Sequence, residues 1–165
     1  MHRVVLFCDH ANVFHNLQER KLRINYKRFR EILTGDYRLV IAVMFMGFLQ
    51  NLFEKKKRLI RALKKTGWTV IPCPITRLSN GSMKQEGVDE EMLLLITQFA
   101  CEDYYEKAVI ISGDRIFVKA VDYLKSLEKV VEVWSFKRSL SRYLIEAVGE
   151  ENVHYIDDIL EEIRF

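Results

Sequence analysis

Two aspartates stand directly after apolar runs that predict buried strands. Asp9 ends the run Val4–Cys8, and Asp114 follows the run Ala108–Ser112 after one glycine. Apolar runs without alternation are typical of strands covered on both faces of a parallel sheet. The carboxyl ends of such strands form the edge at which open α/β folds bind ligands. Clustered carboxylates repel one another unless a cation or a proton neutralises them. Oxygen ligands suit Mg²⁺ or Mn²⁺, which can activate water and stabilise a phosphodiester in displacement.

Two further residues belong to this candidate group. Asp89 follows a loop glycine at the start of an apolar helix, and Asn12 lies three residues after Asp9. Capping of a helix N-terminus explains the positions of Asn12 and Asp89 about as well as a functional role does. For Asp9 the functional interpretation is favoured, because the strand before Asp114 ends in the same way.

The sequence lacks the signatures of several other kinds of site. His10 and His15 lie five residues apart with no HExxH motif, and no GxSxG elbow surrounds Ser112. No GxGxxG follows the first strand, and GxxxxGK[ST] is absent, so dinucleotide and phosphate-loop sites lose their main support. The cysteines form no CxxC pair, which argues against structural zinc or a disulfide framework. They are Cys8, Cys73 and Cys101.

Charge divides the chain into a basic half and an acidic half. Residues 1–84 carry 17 Lys and Arg against 5 Asp and Glu, whereas residues 85–165 carry 9 against 18. The most basic element is a helix over residues 52–65, which includes Lys55, Lys56 and Arg58. A positive surface beside a carboxylate cluster suits a polyanion next to a metal site. Alternatively, these charges form a solvated helix face.

Strands alternate with helices along the whole chain, which predicts an α/β fold with a parallel sheet. We expect a single doubly wound sheet of order 3-2-1-4-5, with helices on both faces and a short sixth strand at one edge. This order places the first and fourth strands, and hence Asp9 and Asp114, side by side. The predicted strands are Arg3–Cys8, Arg38–Phe45, Trp68–Pro74, Ala108–Ser112, Val130–Trp134 and Val153–Ile156. Helices are predicted over 12–18, 26–33, 52–65, 88–101, 117–127, 138–147 and 157–164.

Length and composition set the remaining expectations. A chain of 165 residues is expected to form one domain, and its longest loop is predicted over residues 75–87. No apolar run reaches the roughly 20 residues of a membrane span, and the amino terminus has no signal-peptide design. We therefore expect a cytoplasmic protein with no membrane contact. Its size and apolar content permit a homodimer.

Three short motifs, in this order, resemble those of the NYN domain, the LabA-like branch of the PIN-like nuclease superfamily. The motif D-x-x-N after the first strand is Asp9-His10-Ala11-Asn12. The motif K-G-x-D before the buried helix is Glu86-Gly87-Val88-Asp89, and S-G-D-x-D-F after the fourth strand is Ser112-Gly113-Asp114-Arg115-Ile116-Phe117. The resemblance covers nearly the whole chain and implies a PIN-like, Rossmann-like fold.

The resemblance also implies a function. Such domains are thought to be hydrolases that cleave RNA with Mg²⁺ or Mn²⁺ held by clustered acids. Here Asp9, Asp89 and Asp114 match the metal ligands, and Asn12 would orient Asp9 or a water. Ser112 would position Asp114 or a phosphate oxygen.

The chain departs from the family pattern at three positions. Ile116 replaces the second acid of the third motif, Leu95 stands where the family often has another Asp, and Glu86 replaces the lysine. Glu91, one helical turn before Leu95, is an auxiliary acid that could partly replace the lost one. Arg115 adds a positive charge next to Asp114, which would oppose cation binding if it points inward.

The leading hypothesis is a metal-dependent ribonuclease with three acids around one cation. Lys55, Lys56, Arg58 and Lys84 would bind the RNA backbone. The alternative is a catalytically degenerate RNA-binding or regulatory module that keeps the fold and the basic surface.

Overall fold

The computed structural model of the protein describes residues 2–77, 79–81, 83–84 and 87–165. Six strands form one parallel sheet in the order β3-β2-β1-β6-β7-β8, while β4 and β5 pair with each other in a short antiparallel ladder. In chain order, the strands of the large sheet follow 3-2-1-4-5-6, so the predicted order and the short sixth strand are confirmed. The strands are β1 (Arg3–Asp9), β2 (Arg38–Phe48), β3 (Thr69–Pro74), β4 (Thr76–Arg77), β5 (Met83–Lys84), β6 (Lys107–Ile111), β7 (Val130–Ser135) and β8 (Val153–Tyr155).

Helices cover both faces of the sheet, as predicted. Helices α1, α2, α3 and α7 pack on one face, and α4, α5 and α6 pack on the other. The helices are α1 (His10–Glu19), α2 (Tyr26–Thr34), α3 (Phe53–Lys65), α4 (Val88–Cys101), α5 (Val118–Ser126), α6 (Arg142–Val148) and α7 (Leu160–Ile163). Short 3₁₀ turns lie at Gln50–Leu52, Arg115–Phe117, Lys137–Ser139, Glu150–Asn152 and Ile156–Ile159.

The central strand β1 is buried on both faces, which is why its sequence shows no alternation. Because successive side chains of a strand point to opposite faces, Leu6 and Cys8 join the core beneath α1, α2 and α3. Phe7 joins the core beneath α4 and α5. Cys8 pairs in register with Ile111 of β6, so β1 and β6 end at the same level. The residues that follow these two strands therefore meet at one edge of the sheet.

Several predicted boundaries are wrong. The helix predicted from residue 138 begins at Arg142, because a 3₁₀ turn precedes it and Ser141 caps it by accepting a hydrogen bond from the Tyr143 N–H at 3.2 Å. The first helix begins at His10, two residues earlier than predicted, because Asp9 is its N-cap. The last predicted helix is a 3₁₀ turn followed by α7.

The segment predicted as a loop, residues 75–87, contains the ladder of β4 and β5. Gly81 lies between the two strands with a φ of 82°, a left-handed conformation that glycine adopts without strain. Leu78, Ser82, Gln85 and Glu86 of this segment lie outside the described residues. Glu86 is the first residue of the second motif.

Candidate active site

Asp9 is the last residue of β1 and the N-cap of α1. Its Oδ1 accepts a hydrogen bond from the Asn12 N–H at 3.5 Å. The side chain is only 7% exposed, because the ends of neighbouring strands and helices cover it. Asp9 thus both caps a helix and presents a nearly buried carboxylate at the carboxyl edge of the sheet.

Asp89 lies in the first turn of α4 and is half-buried. The N-cap of this helix is Gly87, whose φ is 103°, and it is Glu90 that accepts the Gly87 N–H, at 3.0 Å. The interpretation of Asp89 as the helix cap is therefore wrong. Since Glu90 supplies the capping carboxylate, the carboxylate of Asp89 is available to the site.

Asp114 is exposed and is the third residue after the end of β6. Its Oδ1 accepts the Ile116 N–H at 2.9 Å, which caps the 3₁₀ turn that follows. Its own N–H donates to Ser112 Oγ at 3.3 Å, and Ser112 is completely buried. A rigid turn therefore holds Asp114 at the end of the strand beside β1.

Burial and the charges of neighbouring acids raise the pKa values of Asp9 and Asp89. Burial, followed by the negative charge of Asp89 and more weakly that of Asp114, raises the pKa of Asp9 to about 6. Burial and then the charge of Asp114 raise the pKa of Asp89. Asp9 therefore feels the negative charge of both other acids, and Asp89 feels that of Asp114, so a cation at this sheet edge would relieve their repulsion.

The donor set fits a hard divalent cation that keeps part of its water shell. Among residues 2–77, 79–81, 83–84 and 87–165, no group of three or more His, Cys, Asp or Glu side chains lies close enough together to hold a metal ion by itself. The oxygen of Asn12, Oδ1, is buried and has no hydrogen-bond partner in the part of the chain that the structure describes. Carboxylates, an unpartnered amide oxygen and water are the ligands that Mg²⁺ and Mn²⁺ prefer.

The raised pKa of Asp9 predicts a pH-dependent stability. In chelator, the folded state holds the Asp9 proton more tightly than the unfolded state, so stability falls as the pH rises from about 4 to about 6 and then levels off. Asp9→Asn removes this penalty, since asparagine also caps helices. We expect the variant to be more stable than the wild type by up to about 3 kcal/mol at pH 8, with the gain shrinking towards pH 4.

Thermal or urea unfolding of both proteins across this pH range measures the difference. Asp122→Asn is the matched control, because Asp122 is an exposed acid on α5 and should show no such pH-dependent gain. A constant difference between Asp9→Asn and the wild type at every pH would contradict the burial of an ionised Asp9.

The predicted basic residues lie in different environments. Lys55 and Arg58 are exposed on α3. Lys56 is half-buried, its Nζ donates to the carbonyl oxygen of Gly47 at 2.6 Å, and burial lowers its pKa. The side chain of Lys84 lies outside the described residues. Lys56 thus joins α3 to the end of β2, whereas Lys55 and Arg58 face solvent.

The auxiliary residues lie at the rim of the site. Glu91 is exposed on α4. Burial raises the pKa of the Cys73 thiol to about 11, and the negative charge of Glu91 contributes to this shift. Arg115 is exposed beside Asp114. The two positions that lack the family's acids differ: Ile116 is 40% exposed, and Leu95 packs against the core beneath α4.

A polar network beside the acids was missed by sequence reasoning. Asn16 Nδ2 donates to the Asn12 carbonyl at 2.8 Å and to Ser139 Oγ at 3.1 Å, and Ser139 Oγ lies 3.5 Å from Ser135 Oγ. Gly113 packs so tightly against this network that a Cβ there would lie 2.7 Å from Ser135 Oγ. The network therefore fixes the Gly113 turn before Asp114 against α1, and the only sequence signal for it was the small residue in the third motif.

Comparisons with known proteins identify a family and a similar fold. The sequence profile of the family described as NYN domain matches residues 3–156. A crystal structure of a protein of unknown function from Vibrio parahaemolyticus has the same fold, with a TM-score of 0.79 and 23% identity, over 95% of this chain and 94% of that one. A comparison with curated proteins finds no match. Among the described helices, none has the length and apolar character to cross a membrane.

Proposed function

The chain belongs to the NYN domain family, which has a PIN-like nuclease fold, and from this premise we propose that it hydrolyses RNA phosphodiesters with a divalent cation. The observation that carries the proposal is the nearly buried carboxylate of Asp9 at the end of β1, beside the end of β6, where burial and the charges of Asp89 and Asp114 raise its pKa. The folded chain gains no stability from carboxylates that repel one another, and burial of a charge without a partner costs free energy. A cation between them removes that cost.

The three acids have distinct roles in this proposal. Asp9 and Asp89 hold Mg²⁺ or Mn²⁺ directly or through water, and the more exposed Asp114 completes the site from the β6 side. A divalent cation in such a site neutralises phosphate charge and lowers the pKa of water. The oxygen of Asn12 would accept a hydrogen bond from a water molecule and so orient it towards the phosphate.

The neighbouring residues bind and orient the substrate. The Oγ of Ser112 accepts a hydrogen bond from the Asp114 N–H. Ser112 thereby positions the carboxylate of Asp114. Lys55 and Arg58 attract the RNA backbone, and Lys84 is assigned the same role from its charge alone. Lys56 presents its charge from a fixed position at the end of β2.

Cleavage of a labelled mixed-sequence RNA in Mn²⁺, Mg²⁺ or chelator tests the proposal. We expect fragments with either cation and none with chelator. Asp9→Asn, purified in the same way, shows whether a contaminating nuclease cleaves the RNA. Intact RNA under all three conditions, with a correctly folded protein, would contradict the proposed activity.

A second candidate function is RNA binding without turnover. Two apolar residues favour it, because Ile116 and Leu95 replace acids that the family uses. This candidate predicts RNA binding that needs no divalent cation and weakens steeply with salt, since counterions are released from each phosphate that is neutralised. Such binding together with intact RNA in Mn²⁺ would select it over the ribonuclease.

A further inference from the structure

A cavity of about 530 Å³ lies at the start of α1, the helix that Asp9 caps. Its walls come from α1, α3 and the ends of β2 and β3, and they include His10, Phe14, Gly47, Lys56, Leu59 and Ile75. Asp9 and His10 are consecutive, so the cavity begins one residue from the proposed cation ligand. A strand whose phosphate lies at Asp9 therefore has its next nucleoside within reach of this cavity.

His10 is an unexplained polar group in this cavity. Its side chain is only 5% exposed, and its Nε2 is buried with no hydrogen-bond partner in the described chain. A buried polar atom without a partner destabilises a fold, so its presence here calls for a ligand or an ordered group that satisfies it. An apolar residue would fill the same space without that cost.

Phe14 gives the cavity an aromatic surface. Its ring stacks on that of His10, with centroids 5.3 Å apart and planes inclined by 17°, yet Phe14 remains 40% exposed. Exposed aromatic rings beside polar groups are the surfaces on which unpaired bases stack. Because His10 Nε2 is buried, a base can reach it only if a side chain of the cavity wall moves, and the exposed Phe14 ring is the one stacked on the imidazole.

The charge around the cavity matches a nucleotide. Lys56 lies in the wall with its Nζ fixed on the Gly47 carbonyl, and α3 continues from it with Lys55 and Arg58 exposed. An apolar wall with a stacking ring, one unsatisfied ring nitrogen and the ammonium group of Lys56 is complementary to a base with its attached phosphate. A purely apolar ligand would leave both His10 and Lys56 unused.

We propose that this cavity is a base-binding subsite, which takes an unpaired nucleobase next to the scissile phosphate by stacking on Phe14 and hydrogen bonding to His10. The inference rests on the proposed function, because it places the RNA by the acid cluster. It adds that the substrate is single-stranded at this nucleotide and that the identity of its base affects binding.

Binding of short labelled single-stranded RNAs in chelator, followed by fluorescence anisotropy, tests the subsite. One base at a time is removed by an abasic substitution. We expect one position at which the loss of the base weakens binding to the wild type by about tenfold, the scale of one base stacked on an aromatic ring. For the Phe14→Ala variant, loss of that base from the RNA should not weaken binding further. Phe14→Leu, which keeps the apolar contact but not the ring, should behave like Phe14→Ala.

Two further variants separate binding from folding. Tyr143→Ala removes a similarly exposed ring, 45% exposed on α6, and should bind every RNA like the wild type. His10→Leu removes the unpartnered nitrogen, so it should raise the melting temperature and yet weaken binding of the RNA that keeps its base. A merely structural role for His10 predicts no change in RNA binding.

The outcomes distinguish this inference from the proposed activity. Equal abasic effects in the wild type and Phe14→Ala, or no binding in chelator, would overturn the subsite even if RNA is cleaved in Mn²⁺. A base effect that depends on Phe14, together with intact RNA in Mn²⁺, would support the subsite and overturn the ribonuclease.

Discussion

Replacement of Asp9 by asparagine is expected to reduce RNA cleavage at least about 10²-fold, the scale at which removal of a preorganised polar group acts on a reaction. Asp9 is the most deeply buried of the three acids, and its carboxylate feels the charges of both others. Asparagine keeps the capping oxygen but carries no charge, so the cation loses its central anionic ligand while α1 stays capped.

The cleavage rate in Mn²⁺ measures this effect, and circular dichroism with thermal unfolding shows that the variant is folded. Asp122→Asn is again the matched control, because the same chemical change at an exposed position on α5 should leave the rate unchanged. Equal rates for Asp9→Asn and the wild type would place the chemistry elsewhere on the protein.

The second large effect is expected from Gly113→Ala. The new Cβ would lie 2.6 Å from the Ser139 carbonyl carbon and would overlap the Ser139 carbonyl oxygen. Backbone atoms cannot yield as a flexible side chain can, so the turn at Gly113 must shift. The expected loss in the free energy of unfolding is about 3 kcal/mol, at the upper end of ordinary overpacking. Cleavage should fall as well, because Asp114 is the next residue.

Urea unfolding and the cleavage assay measure these two losses. Gly35→Ala is the control for cleavage, because a Cβ at Gly35 meets no atom within 4 Å and the strain lies in the backbone alone, with φ 57° and ψ −137°. It should cost about 1–3 kcal/mol, the scale of a strained backbone conformation, and leave cleavage unchanged. Wild-type stability in Gly113→Ala would contradict the close packing of this turn against Ser139.

The sequence predicted the sheet and one edge of the site because local patterns determine both. The uninterrupted apolar run before Asp9 is buried on both faces, and the similar run before Asp114 lies beside it. Side-chain burial within a parallel sheet is a property of each strand, so it can be inferred from composition. The boundaries of α6 were less predictable, because a 3₁₀ turn and a serine cap decide where it begins.

Other features depend on contacts between distant segments and left no local signal. Three consecutive acids follow Gly87 and Val88, and only the structure shows that Glu90, and not Asp89, accepts the Gly87 N–H at the start of the helix. Asn16 and Ser139 are 123 residues apart, so nothing in either neighbourhood indicates their hydrogen bond. The unpartnered nitrogen of His10 likewise appears only once α1 and α3 are packed together.

Binding of Mn²⁺ to the wild type and to Asp9→Asn, Asp89→Asn and Asp114→Asn tests the central claim most directly. Isothermal titration calorimetry, supported by the electron paramagnetic resonance of free Mn²⁺, measures stoichiometry and affinity. We predict one ion per chain, bound at least about tenfold more weakly by each variant, the scale on which even a group outside the ligand shell alters metal affinity. Wild-type affinity in all three variants would contradict a cation site formed by these acids.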